Sequence, residues 1–386
     1  MIKKILIVTG SRADYGMLRK LIFEIKKEKK FKTVVLVTGS HFSKKHGNTI
    51  QEIIGDNSKN IRKVNLNISG DSSNDISDAF SVGVKQFSKL LNAEKPDLSI
   101  ILGDRFEIFA FAISSHILGF PLAHLHGGEL TSGAIDDAFR HSITKMSDLH
   151  FVANKIYGKR VMQLGENPKN IFNVGGLSID KIAKKELFKK NEIEQKLNFK
   201  FLKKNLLITY HPETIGKNLN KKNILILLKS LSRLKQTKLL FTIPNIDTGN
   251  LEIIRSIKQF ALRNKNTIIF KSLGHKMYLS LVSHVDGVIG NSSSGLSEVP
   301  YLKKGTINIG NRQNGRIRTQ SIIDCNFTNE QINKSLKKIY SKEFSKNLKH
   351  TISPYGKKGA SKKIIDVIRF YDFKNIKLKK FFDIKF

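Results

Sequence analysis

The chain has 386 residues, enough for two domains, and 40% of them are hydrophobic, enough to build ordinary cores. Its one cysteine, Cys325, excludes an internal disulfide framework and a cysteine-ligated metal, and reads as a small buried hydrophobe. Lys and Arg outnumber Asp and Glu by 68 to 32, a net charge of +36, but the excess is scattered in short pieces. With no arginine-rich arm, aromatic stacking motif or zinc-finger spacing, a nucleic-acid partner is not expected.

From the N-terminus, two lysines precede the apolar run Ile5-Leu-Ile-Val8, which stops at Thr9-Gly10. That run is too short for the apolar region of a signal peptide and predicts a first β-strand over residues 4–8. Further strands are predicted over residues 33–37, 61–66, 98–102, 121–124, 149–152 and 171–174, with helical patterns over 15–29, 79–91, 107–118 and 136–146. Uniformly apolar strands alternating with helices predict a parallel sheet covered on both faces. A lysine-rich segment, 181–204, follows, and then the alternation restarts. Strands are predicted over 205–210, 238–242, 267–270, 285–289 and 306–309, with helices over 223–234, 250–263, 276–283 and 293–299. The tail, 364–386, mixes Lys with Phe and Tyr and predicts a terminal helix docked on the body. No apolar stretch approaches a membrane span, so a cytoplasmic protein without a membrane partner is expected. The predicted fold class is α/β, with two doubly wound Rossmann-like domains facing a central cleft. The expected boundaries are 1–178, 179–360 and 361–386, the last packing back on the body. In such folds ligands sit at the carboxyl ends of the strands.

The chemistry-bearing residues follow those strands. Thr9-Gly-Ser-Arg-Ala-Asp-Tyr-Gly16 lacks the Gly-x-Gly-x-x-Gly of a dinucleotide binder but puts Arg12 near a helix start, where cation and N–H groups together suit an anion. Gly103-Asp104-Arg105 offers either a helix cap or a carboxylate aimed into the cleft. Seven of the eighteen residues in His124-Leu-His-Gly-Gly-Glu-Leu-Thr-Ser-Gly-Ala-Ile-Asp-Asp-Ala-Phe-Arg-His141 can carry charge or move a proton. Helix-start acids alone would explain Asp136 and Asp137, but not two His and a Glu on the preceding glycine loop. In the second half, Gly290-Asn-Ser-Ser-Ser-Gly295 has Walker A spacing but continues with Leu296 instead of Lys, so it is not an ATP loop. Its hydroxyls at a helix start still suit a diphosphate, and Glu298 suits ribose hydroxyls. No cluster has the spacing of a metal site.

Taken in order, Thr9–Gly16, Leu102-Gly-Asp-Arg-Phe-Glu107, His124-Leu-His-Gly-Gly-Glu129, Arg140-His-Ser-Ile-Thr-Lys-Met146, Gln163-Leu-Gly-Glu-Asn-Pro168, His211-Pro-Glu213, Gly290–Gly295 and Gly315-Arg316 carry a resemblance. The chain resembles the hydrolysing UDP-N-acetylglucosamine 2-epimerases of bacterial sialic acid synthesis. It also resembles relatives that act on UDP-2,4-diacetamido-2,4,6-trideoxyglucose on the way to legionaminic acid. The likeness spans about residues 2–370 and implies a GT-B-like fold. It implies UDP on the second domain, with Ser292, Ser293, Arg12 and His211 near the diphosphate, Glu298 on the ribose, and Asn245 and Arg316 assisting. It places the sugar against Asp104, His126, Glu129, Asp136 and Arg140. Some relatives carry a Glu, considered catalytic, where this chain has His126, so proton transfer here falls to Glu129 or to His126 itself.

The implied activity is epimerisation at C2 with release of UDP and N-acetylmannosamine, through a glycal, for nonulosonic acid synthesis. The legionaminic acid substrate is the alternative; more remote are a non-hydrolysing epimerase and a GT-B glycosyltransferase. A UDP-sugar is the expected ligand, no cofactor or metal is expected, and the resemblance implies a homo-oligomer.

Overall fold

The computed structural model describes residues 2–42, 50–57, 60–70, 72–131, 135–182, 186–212, 219–243, 250–271, 273–373 and 379–384. Met1–Leu130, Ile135–Lys181 and Tyr355–Phe386 form one compact unit, and Ile182–Pro354 form the body of the other.

In the first unit the elements run β1 (Lys3–Thr9), α1 (Arg12–Lys26), β2 (Phe31–Val37), α2 (Ile50–Asn57), β3 (Ile61–Lys63), α3 (Ser73–Glu94), β4 (Leu98–Leu102) and α4 (Phe106–Ile117). They continue through β5 (Leu122–Leu125), α5 (Asp136–Met146), β6 (Leu149–Val152), α6 (Lys155–Gln163), β7 (Ile171–Asn173) and α7 (Leu177–Asp180). The seven strands form a parallel sheet in the order β3-β2-β1-β4-β5-β6-β7. Its centre is buried on both faces, which is why β1 and β4 read as near-continuous apolar runs, broken in β4 only by the buried Ser99. Alternate residues divide between the faces: Ile5 and Ile7 join Leu18, Leu21 and Ile22 of α1, while Leu6 and Val8 join Phe87 of α3 and Phe111 of α4.

The second unit runs α8 (Lys190–Leu197), β8 (Lys204–Thr209), α9 (Leu219–Leu231), β9 (Thr237–Thr242), α10 (Asn250–Arg263), β10 (Thr267–Phe270), α11 (Gly274–His284) and β11 (Gly287–Gly290). It continues with α12 (Glu298–Tyr301), β12 (Gly305–Ile309), β13 (Ile322–Cys325), α13 (Asn329–Ile339) and α14 (Lys342–Lys349). Its six strands are also parallel, in the order β10-β9-β8-β11-β12-β13. Cys325 is a buried free thiol at the end of β13.

The chain then returns to the first unit through α15 (Ala360–Phe370), whose Ile364, Ile365 and Ile368 complete the core against α1. The division into compact units falls after Lys181 and before Tyr355, against expected boundaries at 178 and 360. The cause is local. The Tyr355 carbonyl accepts from Gly176 N at 2.8 Å, and Asp180 accepts from Gly359 N at 2.6 Å and Ser361 N at 2.9 Å, anchoring the start of α15. Among the described residues, no helix is long and apolar enough to cross a membrane.

Each sheet reverses its winding once, between β1 and β4 in the first unit and between β8 and β11 in the second. Those are the points at which the strand-end loops part to leave a crevice.

Candidate active site

In the first unit the switch point is flanked by the loops after β1 and β4. Ser11 caps α1, accepting from Asp14 N at 3.3 Å, and Arg12 is the first helical residue, exposed. Asp104 is not a cap: α4 begins behind Arg105 with no side-chain cap, which leaves the Asp104 carboxylate to form an ion pair with Arg140 of α5. Arg140 is almost fully buried. Beside this pair lies Asp136, at the start of α5. Its pKa is pushed up from 3.8 to about 6, first by burial and then by Asp104 and Glu107, against the pull of Arg105 and Arg140. A carboxyl that titrates near neutrality, next to one held by a guanidinium, can both take and return a proton.

His124 stands in β5 and His126 on the glycine loop that follows it, and hydrogen bonds separate their jobs. His124 is fully buried; its Nε2 faces the Gly103 carbonyl at 2.8 Å and its Nδ1 faces Thr144 Oγ1 at 3.1 Å. Burial depresses its pKa to about 3, so the ring is neutral. A carbonyl only accepts, so Nε2 carries the proton and Nδ1 accepts from Thr144. His124 therefore ties the loop before Asp104 to α5. His126 stands in the left-handed region at φ 65°. Its Nε2 accepts from Leu177 N at 3.3 Å, so Nδ1 carries the proton and donates to Glu129 Oε1 at 3.0 Å. Glu129 is buried beside it. Gly128, at φ 77°, lies against the Tyr157 carbonyl, and its own carbonyl accepts from Arg160 of α6. His141 pairs with Asp137 one turn away at 3.6 Å.

Sequence reasoning passed over two acids here. Glu107 is fully buried, accepts from Arg105 Nε at 2.7 Å, and fills the space where side chains on Gly10 and Gly39 would project. Asp14 is raised to about 6 by burial, with Arg105 opposing. The signal was present in Gly10, whose missing side chain makes room for a neighbour's carboxylate.

In the second unit the corresponding loops follow β8 and β11. His211 N donates to Asn291 Oδ1 at 2.7 Å, and Asn291 Nδ2 donates back to the His211 carbonyl at 2.8 Å, a clamp across the switch point. The Asn291 carbonyl accepts from Arg312 Nη1 at 3.1 Å and Gln313 Nε2 at 2.9 Å. Burial, with Arg312 adding to it, lowers the His211 pKa to about 3, so a neutral ring is held there. Ser292 and Ser293 follow, half-buried and exposed respectively. The single helix expected over 293–299 is instead a 3-10 turn, Ser293–Gly295, followed by the four-residue α12. Pro300 explains the break, because its nitrogen cannot donate to the Leu296 carbonyl and its ring would crowd it. The hydroxyls, rather than a long helix terminus, are the polar feature of this loop. Glu298 begins α12 and meets His275 of α11 at 3.4 Å, while Tyr278 donates to Ser294 Oγ at 3.0 Å. Arg316 lies in the turn after β12, its backbone N–H on the Gln313 carbonyl at 3.3 Å. Asn245 lies outside the described residues.

Asp104, Asp136 and Arg140 thus come together on the first unit, His126 pairs with Glu129 after β5 of the same unit, and His211, Ser292, Ser293, Glu298 and Arg316 follow strand ends of the second. Among the described residues no group of three or more His, Cys, Asp or Glu is arranged to hold a metal.

The family model described as UDP-N-acetylglucosamine 2-epimerase matches residues 23–369. The chain belongs to that family. As a UDP-N-acetylglucosamine 2-epimerase family member it is an enzyme that acts on a UDP-sugar. It is 41% identical over 346 residues to the GDP/UDP-N,N'-diacetylbacillosamine 2-epimerase (hydrolyzing) of Campylobacter jejuni, covering 89% of each chain. It is 38% identical over 384 residues to the polysialic acid biosynthesis protein P7 of Escherichia coli, covering 99% of this chain and 98% of that one. The UDP-bound structure of MnaA from S. aureus matches with a TM-score of 0.80 over 100% of both chains at 18% identity, a likeness of fold. Two parallel α/β units of this kind make the epimerase's fold GT-B-like.

Proposed function

We propose that the chain hydrolyses and epimerises UDP-N-acetylglucosamine, releasing UDP and N-acetylmannosamine for nonulosonic acid synthesis. The observation that carries the chemistry is the Asp136 carboxyl, held near pKa 6 beside the Asp104–Arg140 pair. The C2 hydrogen of the sugar is not next to a carbonyl, so a base alone cannot remove it. As the bond from C1 to the diphosphate oxygen breaks, UDP takes the electron pair and C1 becomes oxocarbenium-like, which acidifies C2–H. A carboxylate of the Asp104, Glu129, Asp136 set takes that proton, leaving a C1–C2 double bond. Water then adds its oxygen to C1 while a proton reaches C2 from the opposite face. Two faces require two proton-transfer groups, and His126 orients Glu129 as one of them. Every step is a proton transfer or a C–O bond change, so no cofactor is required.

On the second unit the leaving diphosphate is stabilised by the hydroxyls of Ser292 and Ser293, with the neutral His211 ring donating where charge develops. Glu298 accepts from the ribose, and Arg316 completes the UDP contacts.

A second reading changes only the sugar: the Campylobacter jejuni relative is named for N,N'-diacetylbacillosamine. Turnover of UDP-N-acetylglucosamine against the corresponding 2,4-diacetamido sugar nucleotide decides between them. Replacing Asp104, Glu129 and Asp136 singly by their amides is expected to abolish UDP release, and near-normal turnover in all three overturns the assignment. Proton NMR in heavy water is expected to show deuterium at C2 of the product. We also propose a homo-oligomer, in keeping with the family; sedimentation equilibrium measures it.

A further inference from the structure

The C-terminal segment 379–384 makes contacts that the proposed chemistry does not use. Lys379 Nζ donates to three carbonyls at the end of α5, those of Thr144 at 3.3 Å, Lys145 at 2.7 Å and Ser147 at 2.6 Å. The same ammonium pairs with Glu166 Oε2 at 2.6 Å. Glu166 is buried and also binds His150 Nε2 at 2.9 Å and Lys145 Nζ at 2.7 Å. Two residues on, the Phe381 ring lies against Gly165, Lys145 sits 5.1 Å from that ring's centroid, and Phe382 N donates to the Gly165 carbonyl at 2.9 Å.

The last carbonyls of a helix have no partner within it and carry the negative end of its dipole, so a cation there fixes the final turn. The helix in question is the one that begins with Asp136 and carries Arg140. Thr144, whose carbonyl Lys379 holds, is also the residue whose hydroxyl meets His124, and His124 in turn holds the Gly103 carbonyl next to Asp104. Glu166 and Gly165 follow α6, whose Arg160 holds the Gly128 carbonyl in the histidine loop.

We propose that Lys379 is a positioning residue: together with Phe381 it straps the end of α5 to the turn after α6, and so fixes Asp136, Arg140 and the histidine loop for proton transfer. The inference rests on the sugar-side roles proposed above. It predicts a loss in turnover rather than in substrate affinity, because the strap touches no group assigned to UDP.

The test is steady-state UDP release from UDP-N-acetylglucosamine by full-length Lys379→Met, Lys379→Arg, Phe381→Ala and Asp136→Asn proteins, with thermal unfolding alongside. Lys379→Met is expected to lower kcat by roughly 10- to 100-fold, the scale of a small misplacement of catalytic groups, with KM within about twofold. Lys379→Arg is expected to recover most of the loss. If Lys379→Met does not fold, Phe381→Ala carries the test, with a smaller kcat loss expected in the same direction. A kcat within about twofold of the parent in the folded strap variant, with Asp136→Asn inactive, overturns the strap alone. A rise in KM that accounts for the whole defect also overturns it. An active Asp136→Asn removes Asp136 from proton transfer, and the strap that positions it with it.

Discussion

Asp136 sits among groups that pull it both ways. Burial, Asp104 and Glu107 raise its pKa, while Arg105 and Arg140 lower it, and the balance leaves it at about 6 against an ordinary 3.8. If its ionised form takes the C2 proton, kcat/KM falls as pH drops through about 6; an acid limb near 4 instead removes it from the role. The neighbours fix the sign of two further shifts. Asp104→Asn removes a like charge and frees Arg140, so the Asp136 pKa is expected to fall. Arg105→Gln removes a cation and is expected to raise it. Carbon-13 NMR titration of aspartate-labelled protein measures both, and opposite movement shows that the environment described here is wrong. The same shift has a cost in stability. The folded chain holds the Asp136 proton more tightly than the unfolded chain, so its contribution is full below pH 3.8 and is lost as pH rises through about 6. Glu166 has the other sign. Burial raises it, but His150, Lys145 and Lys379 outweigh burial and hold it at about 2, so its contribution is full above 4.5 and is lost as pH falls toward 2.

At the scale of elements, the two switch points do the positioning, and Gly290 shows how closely the second is built. It ends β11 at φ 140°, and a Cβ there would run into the Thr209 carbonyl of the neighbouring β8. Gly290→Ala must push the two strand ends apart and break the His211–Asn291 clamp. It is expected to cost roughly 2–4 kcal/mol, read by urea unfolding, and to weaken UDP binding, read by calorimetry. Unchanged stability and binding contradict a built crevice at that point. Several elements were legible because an apolar run or stripe ends in a sharp stop: the predicted strands 98–102, 149–152 and 267–270 and the helices 136–146 and 250–263 coincide with β4, β6, β10, α5 and α10. Others left no such pattern. Helix α8 buries only Ile193 among its charged residues, and β13 is an edge strand with alternating exposure, so neither shows a continuous apolar run. The first-unit carboxylates could be read because they follow strands directly. The His275–Glu298 contact and the strap from Lys379 could not, because each joins residues brought together only by tertiary packing.

At the scale of the molecule, the charge of +36 asks for either a polyanionic partner or a price in self-repulsion. Its distribution decides which. The accessible surface of 19711 Å² divided among 36 unbalanced cations leaves about 550 Å² for each, a mean spacing of about 23 Å. That spacing is shorter than the screening length of about 30 Å at 0.01 M salt and far longer than the length of about 8 Å at 0.15 M. Repulsion is therefore felt only at low salt. Exposed ion pairs such as Lys27–Glu24 weaken as salt rises, but each is worth at most about 1 kcal/mol, too little to reverse the trend. Raising sodium chloride from about 0.01 to about 0.15 M is expected to raise the Tm, with little further change beyond, as followed by differential scanning fluorimetry. Duplex DNA is expected to leave the Tm unchanged at about 0.15 M salt, where scattered cations release too few counterions to hold it. A rise with DNA at that salt concentration points instead to a basic stripe and a nucleic-acid partner. A Tm that falls steadily with salt shows that attraction between paired charges, rather than repulsion among the excess, governs the surface.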